Sequence, residues 1–259
     1  FEKEDSAGGM LVQAIPAYRL PREELGREVS MIQSMGVTIE TNKALGRDFT
    51  LQGLKDEGYD AVFLGLGAPE GLKIGVTGEE GEGVTEALNF LREYNVHGTT
   101  AVGKQVVVVG AGNSAMDAAR TAIRLGAEHV TVLYRRTRAE MPAWAEEVDA
   151  TADEGIELKT LVAPKEIVRG PKGEVKGLIC TTMDLGPFDS SGRRKPVESH
   201  SPDFFIECDH VIAAIGQSLD TGDLLDGMEV QTERNWIKAD PTTGQTSVEW
   251  IFAGGDAAT

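Results

Sequence analysis

Val106-Val107-Val108-Val109-Gly110-Ala111-Gly112-Asn113-Ser114-Ala115-Met116-Asp117-Ala118-Ala119-Arg120 is the stretch that decides the fold class. An unbroken apolar run suits a strand buried on both faces, and the alanine-rich segment behind a glycine corner suits a helix packed close to it. The corner matches GxGxxA. Gly110 allows the tight turn, Gly112 lets backbone amides reach a pyrophosphate, and Ala115 is small enough for close helix–strand contact. The helix that follows would face the phosphates with its free amides and the positive end of its dipole.

Outward from this corner, residues 104–109 read as a strand, 114–125 as a helix and 129–134 as a second strand. That alternation implies a right-handed parallel crossover. Tyr134-Arg135-Arg136 closes the second strand, with Arg135 twenty-five residues beyond Gly110. A dinucleotide fold meets the adenosine ribose here. An acid would accept from a free 2′-hydroxyl, whereas a guanidinium favours a 2′-phosphate through a forked, charge-assisted contact. Arg135 and Arg136 therefore point to NADPH, with neither singled out and Arg138 a third candidate. Solvated charges at a strand end are the competing reading.

The rest of the chain repeats the alternation. Helices are expected at 22–35, 49–57, 84–94 and 143–154. The first carries Leu25, Val29, Ile32 and Met35 at helical spacing. Strands are expected at 37–40, 59–68, 156–162, 163–169 and 175–183, then at 209–216 and 250–256. The passages 75–83 and 187–196 read as loop and as charged hairpin or loop. The buried-strand pattern ending in glycine at 60–67 returns at 209–216, on the far side of the Gly110 unit. This echo suggests one domain interrupted near residue 97 and resumed near 218. Phe1-Glu2 reads as the end of a strand, and the chain stops where a helix would begin, so it reads as a piece of a longer protein.

Composition narrows the function classes. At 259 residues, 41% of them hydrophobic, the chain is long enough for two domains with cores of their own. A formal net charge of −17 argues against a nucleic-acid backbone as partner. No apolar stretch approaches membrane-spanning length and no signal peptide is visible, so a cytoplasmic location and no membrane partner are expected. Cys180 and Cys208 form no CxxC pair, and the four histidines share no metal-ligand spacing, so no metal site is expected. No Ser/His/Asp arrangement stands out, and no side chain is assigned a catalytic role. Met141 and Trp144 beside Pro142 read as packing residues. Tyr18-Arg19 reads equally as functional or as a proline-flanked turn.

With Gly8-Gly9-Met10-Leu11, Ile15-Pro16-Ala17-Tyr18-Arg19-Leu20-Pro21, Phe63-Leu64-Gly65-Leu66-Gly67-Ala68, Met141-Pro142-Ala143, Ala214-Ile215-Gly216 and Phe252-Ala253-Gly254-Gly255-Asp256 added to the two motifs above, the chain resembles a known family. It is similar to the small (beta) subunits of NADPH-dependent glutamate synthases and related FAD-dependent pyridine nucleotide oxidoreductases. The resemblance implies an α/β protein of two Rossmann-like dinucleotide-binding domains, the NADPH domain (98–217) inserted into the FAD domain (1–97 and 218–259). It implies hydride transfer from NADPH to FAD. Electrons would then leave through iron–sulfur clusters, held in a missing segment or a partner, to an electron-accepting subunit or domain such as a glutamate synthase large subunit.

By the same resemblance Gly110, Gly112, Asn113, Ser114, Ala115, Arg135, Arg136 and Gly216 belong to the NADPH site. Glu2, Gly9, Gly67, Gly255 and Asp256 belong to the FAD site. On spacing alone Glu2 reads equally as a surface glutamate, and Asp256 as a helix N-cap. The family's first FAD glycine turn, its cysteine-rich segment and the helix after Asp256 are absent. Val12-Gln13-Ala14 stands where Arg-Tyr-Gly is common. Two rival functions remain: an NADP(H)-binding regulatory module without hydride transfer, and a disulfide reductase of the thioredoxin reductase type, which the missing CxxC disfavours.

Overall fold

A computed structural model of the chain describes residues 1–189, 192–219, 221–225 and 227–258. Ser190 and Ser191, inside the 187–196 passage, lie outside the described residues. The chain divides into two compact units. The first comprises Phe1–Val12, Pro21–Glu70 and Gln217–Thr259; the second comprises Gln13–Leu20 and Gly71–Gly216. By their nesting in the sequence the first is the outer unit and the second the inner. Residues 71–97, grouped with the outer domain on sequence, pack in the inner unit, as does the excursion at 13–20.

In the outer unit, α1 (Arg22–Ser34) starts at Pro21, where a missing N–H costs nothing. Of its four spaced apolar residues Leu25 is buried, whereas Ile32 and Met35 are exposed. Residues 37–40 join no sheet, and Phe1-Glu2 is not in a strand; Glu2 instead exchanges backbone bonds with Glu40 and Lys43, and Glu4 accepts from the Asn42 amide. The Thr50 hydroxyl accepts from the Gly53 amide (3.0 Å) and caps α2 (Leu51–Asp56). β1 (Val62–Leu64) pairs in parallel with a strand at Ile251–Ala253. Leu51, Leu64, Ile237, Ile251, Ala253 and Ala257 close the core around that pair.

The inner unit holds β2 (Val84–Glu86), α3 (Ala87–His97), β3 (Gln105–Val109), α4 (Asn113–Arg124) and β4 (His129–Tyr134). These are followed by α5 (Ala145–Asp153), β5 (Glu157–Thr160), β6 (Val162–Arg169), β7 (Val175–Phe188), β8 (Arg194–Glu198), β9 (Phe204–Glu207) and β10 (His210–Ala213). Five strands form a parallel sheet in the order β2-β10-β3-β4-β5. The expected helix at 84–94 therefore begins three residues late, because Val84-Thr85-Glu86 is drawn into the sheet beside Val211-Ile212-Ala213.

The valines of β3 explain the layering. Val106 and Val108 pack with Ala115, Ala118, Ala119 and Phe90 on the helical face. Val107 and Val109 pack on the other face with Leu133, Ile167, Leu178 and Cys180. That second face is covered by an antiparallel sheet in the order β9-β7-β6, whose β7 continues into a hairpin with β8. A strand buried on both faces has no polar side to alternate with, hence four valines in a row.

Candidate functional site

β3 is the centre of the parallel sheet, with β4 on one side and β10 on the other. The strand order reverses there, which opens a crevice at the carboxyl ends of the strands. Gly110 leaves β3 at φ +132°, and a Cβ on it would sit 2.0 Å from the Ala214 carbonyl oxygen. Only a glycine lets the turn pass so close to the end of β10. Its amide donates to the Leu133 carbonyl (2.9 Å), and Ala214 N donates to the Val109 carbonyl (2.8 Å), so the corner is stitched to both neighbouring strands.

Gly112 is different. It caps α4 without a side chain, at an ordinary φ of −83°, and a Cβ there would meet nothing within 4 Å. Among the described residues no group accepts from the amides of Asn113 or Ser114, the first two of α4. Free amides together with the positive end of a helix dipole are suited to an anion. Asn113 Oδ1 accepts from the Trp144 amide (3.1 Å), and Ala143 N donates to the Ala111 carbonyl (3.1 Å), so the 139–144 segment is tied along the turn. Ala115 is fully buried against β3, as close packing requires. Gly216 follows β10 at φ +137°, exposed, and its carbonyl accepts from the Leu72 amide (3.0 Å).

The two arginines have separate fates. Arg135 is exposed at the end of β4 and makes no ion pair among the described residues. Arg136 is only 5% exposed. Its Nε donates to the Arg194 carbonyl (2.7 Å) and its Nη2 to Asp189 Oδ2 (2.9 Å), both on the β7–β8 hairpin. Arg138 pairs with Asp149. Of these three arginines, Arg135 is the one left to meet a ligand.

In the outer unit, Leu64 and Ala253 are register partners, so Gly67, Gly255 and Asp256 all follow the carboxyl ends of one parallel pair. Gly67 and Gly255 both take φ +67° with open space where a side chain would be. Asp256 is exposed inside a short 3-10 turn, Gly255–Ala257, whose N-cap is Gly254; Asp256 is therefore not the cap. Gly9 sits at φ +52° before a one-turn helix at Met10–Gln13. Glu2 is half-buried and accepts from the Glu4 amide (2.9 Å).

Two features escaped the sequence reading. Trp144 is 68% exposed and so does not pack, although Met141 lies against the helical core as expected. Arg19 holds two acids on the inner unit's helices: Nη1 meets Asp117 (2.7 Å) on α4 and Nε meets Glu147 (3.0 Å) on α5. Arg120 joins Glu147 (2.5 Å) to Glu154 (2.9 Å), which Arg124 also holds (2.6 Å). The ring of Tyr18 lies under the Arg120 and Arg124 guanidiniums (5.0 and 4.0 Å). Burial pushes the Tyr18 hydroxyl up to about 12. Burial also raises Asp117 above the usual carboxylate range, against the opposing pull of Arg19. A charged residue in an otherwise buried alanine helix was the available signal.

Among the described residues no group of His, Cys, Asp or Glu could hold a metal ion, and no helix is long and apolar enough to cross a membrane. Burial pushes both thiols, Cys180 and Cys208, up to about 12.

Comparison with known proteins bears on the family and the fold. The family model described as pyridine nucleotide-disulphide oxidoreductase matches residues 7–259. The chain is 46% identical over 259 residues to the NADP(+)-dependent formate dehydrogenase subunit beta of Moorella thermoacetica, covering 99% of this chain and 36% of that one. It is 34% identical over 271 residues to the glutamate synthase [NADPH] small chain of Escherichia coli, covering 99% of this chain and 57% of the relative. The chain thus spans little over half of these relatives' length at most. Among solved structures, FprA of Mycobacterium tuberculosis in complex with NADPH superposes with a TM-score of 0.80 at 14% identity, over 99% of this chain and 71% of that one. A thioredoxin reductase of T. acidophilum superposes with a TM-score of 0.65 at 20% identity, over 99% of this chain and 81% of that one. Both likenesses bear on the fold, which is α/β and Rossmann-like.

Proposed function

Because this chain belongs to the pyridine nucleotide-disulphide oxidoreductase family, we propose that it is the pyridine-nucleotide part of an NADPH-dependent flavoprotein oxidoreductase, with NADPH bound by the inner unit and FAD by the outer one. The observation that carries the reading is the pairing of an α4 N-terminus behind Gly112 with Arg135 at the end of the next strand, neither of which finds a partner among the described residues. The α4 amides, those of Asn113 and Ser114 first, hold the pyrophosphate, Gly112 admits it without a clash, and Arg135 takes the 2′-phosphate. Asn113, Ala115 and Gly216 shape the crevice around them. When bound, NADPH supplies a hydride from its nicotinamide ring to FAD, and that chemistry needs no acid, base or nucleophile from the chain.

The outer unit's residues suit a flavin nucleotide to the extent that Gly67 and Gly255 leave open backbone beside the exposed Asp256. In that role Asp256 accepts from a ribityl hydroxyl, and Glu2 and Gly9 belong to the adenosine end. Electrons then pass to a partner subunit or an iron–sulfur domain. Support comes from relatives named as a formate dehydrogenase subunit beta, an NADPH-Fe(3+) oxidoreductase subunit beta and a glutamate synthase small chain. The cytoplasm is the proposed location.

Calorimetric titration of the chain with NADPH, and with NADH alongside, tests the reading. NADPH should bind at least tenfold more tightly, and Arg135→Gln should remove that preference, a loss of about 1.4 kcal/mol or more. Equal affinities in the unaltered protein would overturn the 2′-phosphate assignment.

A further inference from the structure

Arg19 reaches its two acids from an excursion of the chain. Residues 13–20 pack with the inner unit, although the residues on either side of them belong to the outer one. The base of the excursion is closed by Arg22, whose guanidinium donates to the carbonyls of Leu11 and Val12 (both 2.7 Å). Three helices of the inner unit hold the rest. Asn95 Nδ2 of α3 donates to the Gln13 carbonyl (2.9 Å), and the α4 cations Arg120 and Arg124 lie over the Tyr18 ring. Arg19 itself meets Asp117 of α4 and Glu147 of α5.

Those two acids occupy matching places. Since α4 begins at Asn113, Asp117 lies one turn, about 6 Å, behind the first free amides. Glu147 stands in the first turn of α5, whose leading amides, those of Ala143 and Trp144, are bonded to Ala111 and Asn113. One guanidinium therefore ties together the first turns of the two helices that start beside the Gly110–Gly112 turn. It also balances a charge. Asp117, Glu147 and Glu154 face Arg19, Arg120 and Arg124 in a neutral cluster, so removing Arg19 leaves one negative charge in excess. The excess falls on Asp117, which is buried, has no partner for its Oδ1 among the described residues and rests its Oδ2 on Arg19. A bare carboxylate there stands behind the very amides an anion would use. Like charges about 10 Å apart weaken binding roughly tenfold at an effective dielectric constant of about 20.

We propose that Arg19 is a positioning residue for the dinucleotide: carried on the 13–20 excursion, it fixes the first turns of α4 and α5 and neutralises Asp117, so that the Gly110–Gly112 turn can take an anion. This rests on the NADPH reading above and extends it. Part of the inner unit's affinity for its cofactor is then supplied by a stretch of chain that sequence order assigns to the outer domain. Arg19 acts through the turn, and so on NADPH and NADH alike, whereas Arg135 acts on NADPH alone.

The test is calorimetric titration of the full chain at pH 8 with NADPH and NADH, each variant first shown by circular dichroism to be folded at the titration temperature. Arg19→Met should weaken both cofactors about tenfold and preserve their ratio. Arg19→Met/Asp117→Asn, which removes the excess charge, should recover most of that loss. If Arg19→Met fails to fold, Arg19→Lys, which keeps a cation but cannot fork between two acids, should weaken both about threefold. Affinities within about twofold of the unaltered protein, in whichever of these variants folds, would overturn the positioning role while leaving the NADPH reading intact. A changed ratio would overturn it too, because Arg19 would then be meeting the 2′-phosphate itself. So would a loss in Arg19→Met that the double variant does not recover. Absence of NADPH binding to the unaltered chain would overturn both readings.

Discussion

Replacing Arg19 by Met should destabilise the inner unit far more than loss of a surface ion pair would. Asp117 is 3% exposed, and one of its oxygens already has no partner. The other depends on Arg19 at 2.7 Å. Met keeps the aliphatic stem but strands a buried carboxylate, which costs about 3 kcal/mol, against ~0.5 kcal/mol for an exposed pair. With a urea slope of about 2 kcal/mol/M, the midpoint should fall by about 1.5 M. The loss should also depend on pH. In the native state the Asp117 carboxyl is already held above its ordinary range by burial, with Arg19 opposing. Removing Arg19 lifts it further, so the folded variant binds a proton more tightly than its unfolded chain. Stability then falls as pH rises from the unfolded value, near 4, through the folded one. The deficit should be largest at pH 8 and shrink at pH 5. Urea unfolding followed by circular dichroism at both pH values measures this. Arg19→Met/Asp117→Asn should recover part of the loss at pH 8. A deficit below ~0.5 kcal/mol, or one that does not change with pH, would refute the argument.

Four further outcomes are expected. Hydrogen bonds from Arg124 and then Arg120 hold Glu154 down to about 2; its stabilising share is present above pH ~4.5 and disappears as pH falls towards 2. Glu154→Gln should therefore flatten that part of the acid unfolding curve, and an unchanged curve would count against the network. Gly110→Ala meets both a φ of +132° and the Ala214 carbonyl, so its melting temperature should drop by about 10 °C or more. Gly112→Asp, in open space, should melt within a few degrees of the unaltered protein yet bind no NADPH; if it still binds, the phosphate turn is misassigned. Since burial pushes Cys180 and Cys208 up to about 12, neither should be alkylated by iodoacetamide at pH 8 until the protein is unfolded, as mass spectrometry would show.

Much of the inner unit was legible along the chain because its signals are local. Four valines, a GxGxxA corner and an alanine-rich helix each state a conformation within a few residues, and the helix and strands fell within a residue or so of expectation. Short segments were misjudged where a distant partner decides. Val84–Glu86 has the same residues whether helical or extended, and only β10 makes it a strand. Residues 37–40 alternate like a strand but find no neighbour. Trp144 reads as core by its chemistry and is exposed because its backbone, not its ring, is what the turn uses.

A GxGxxA corner and two arginines at the end of the next strand are written in residue types at fixed spacing, and reading them needs nothing beyond the order of the chain. Which of the two arginines remains available is settled elsewhere, by long-range packing. Asp189 lies 53 residues from Arg136 and Asp117 lies 98 from Arg19. No spacing rule connects such pairs; only the packing of an antiparallel sheet and a returning loop onto the parallel core brings their charges together.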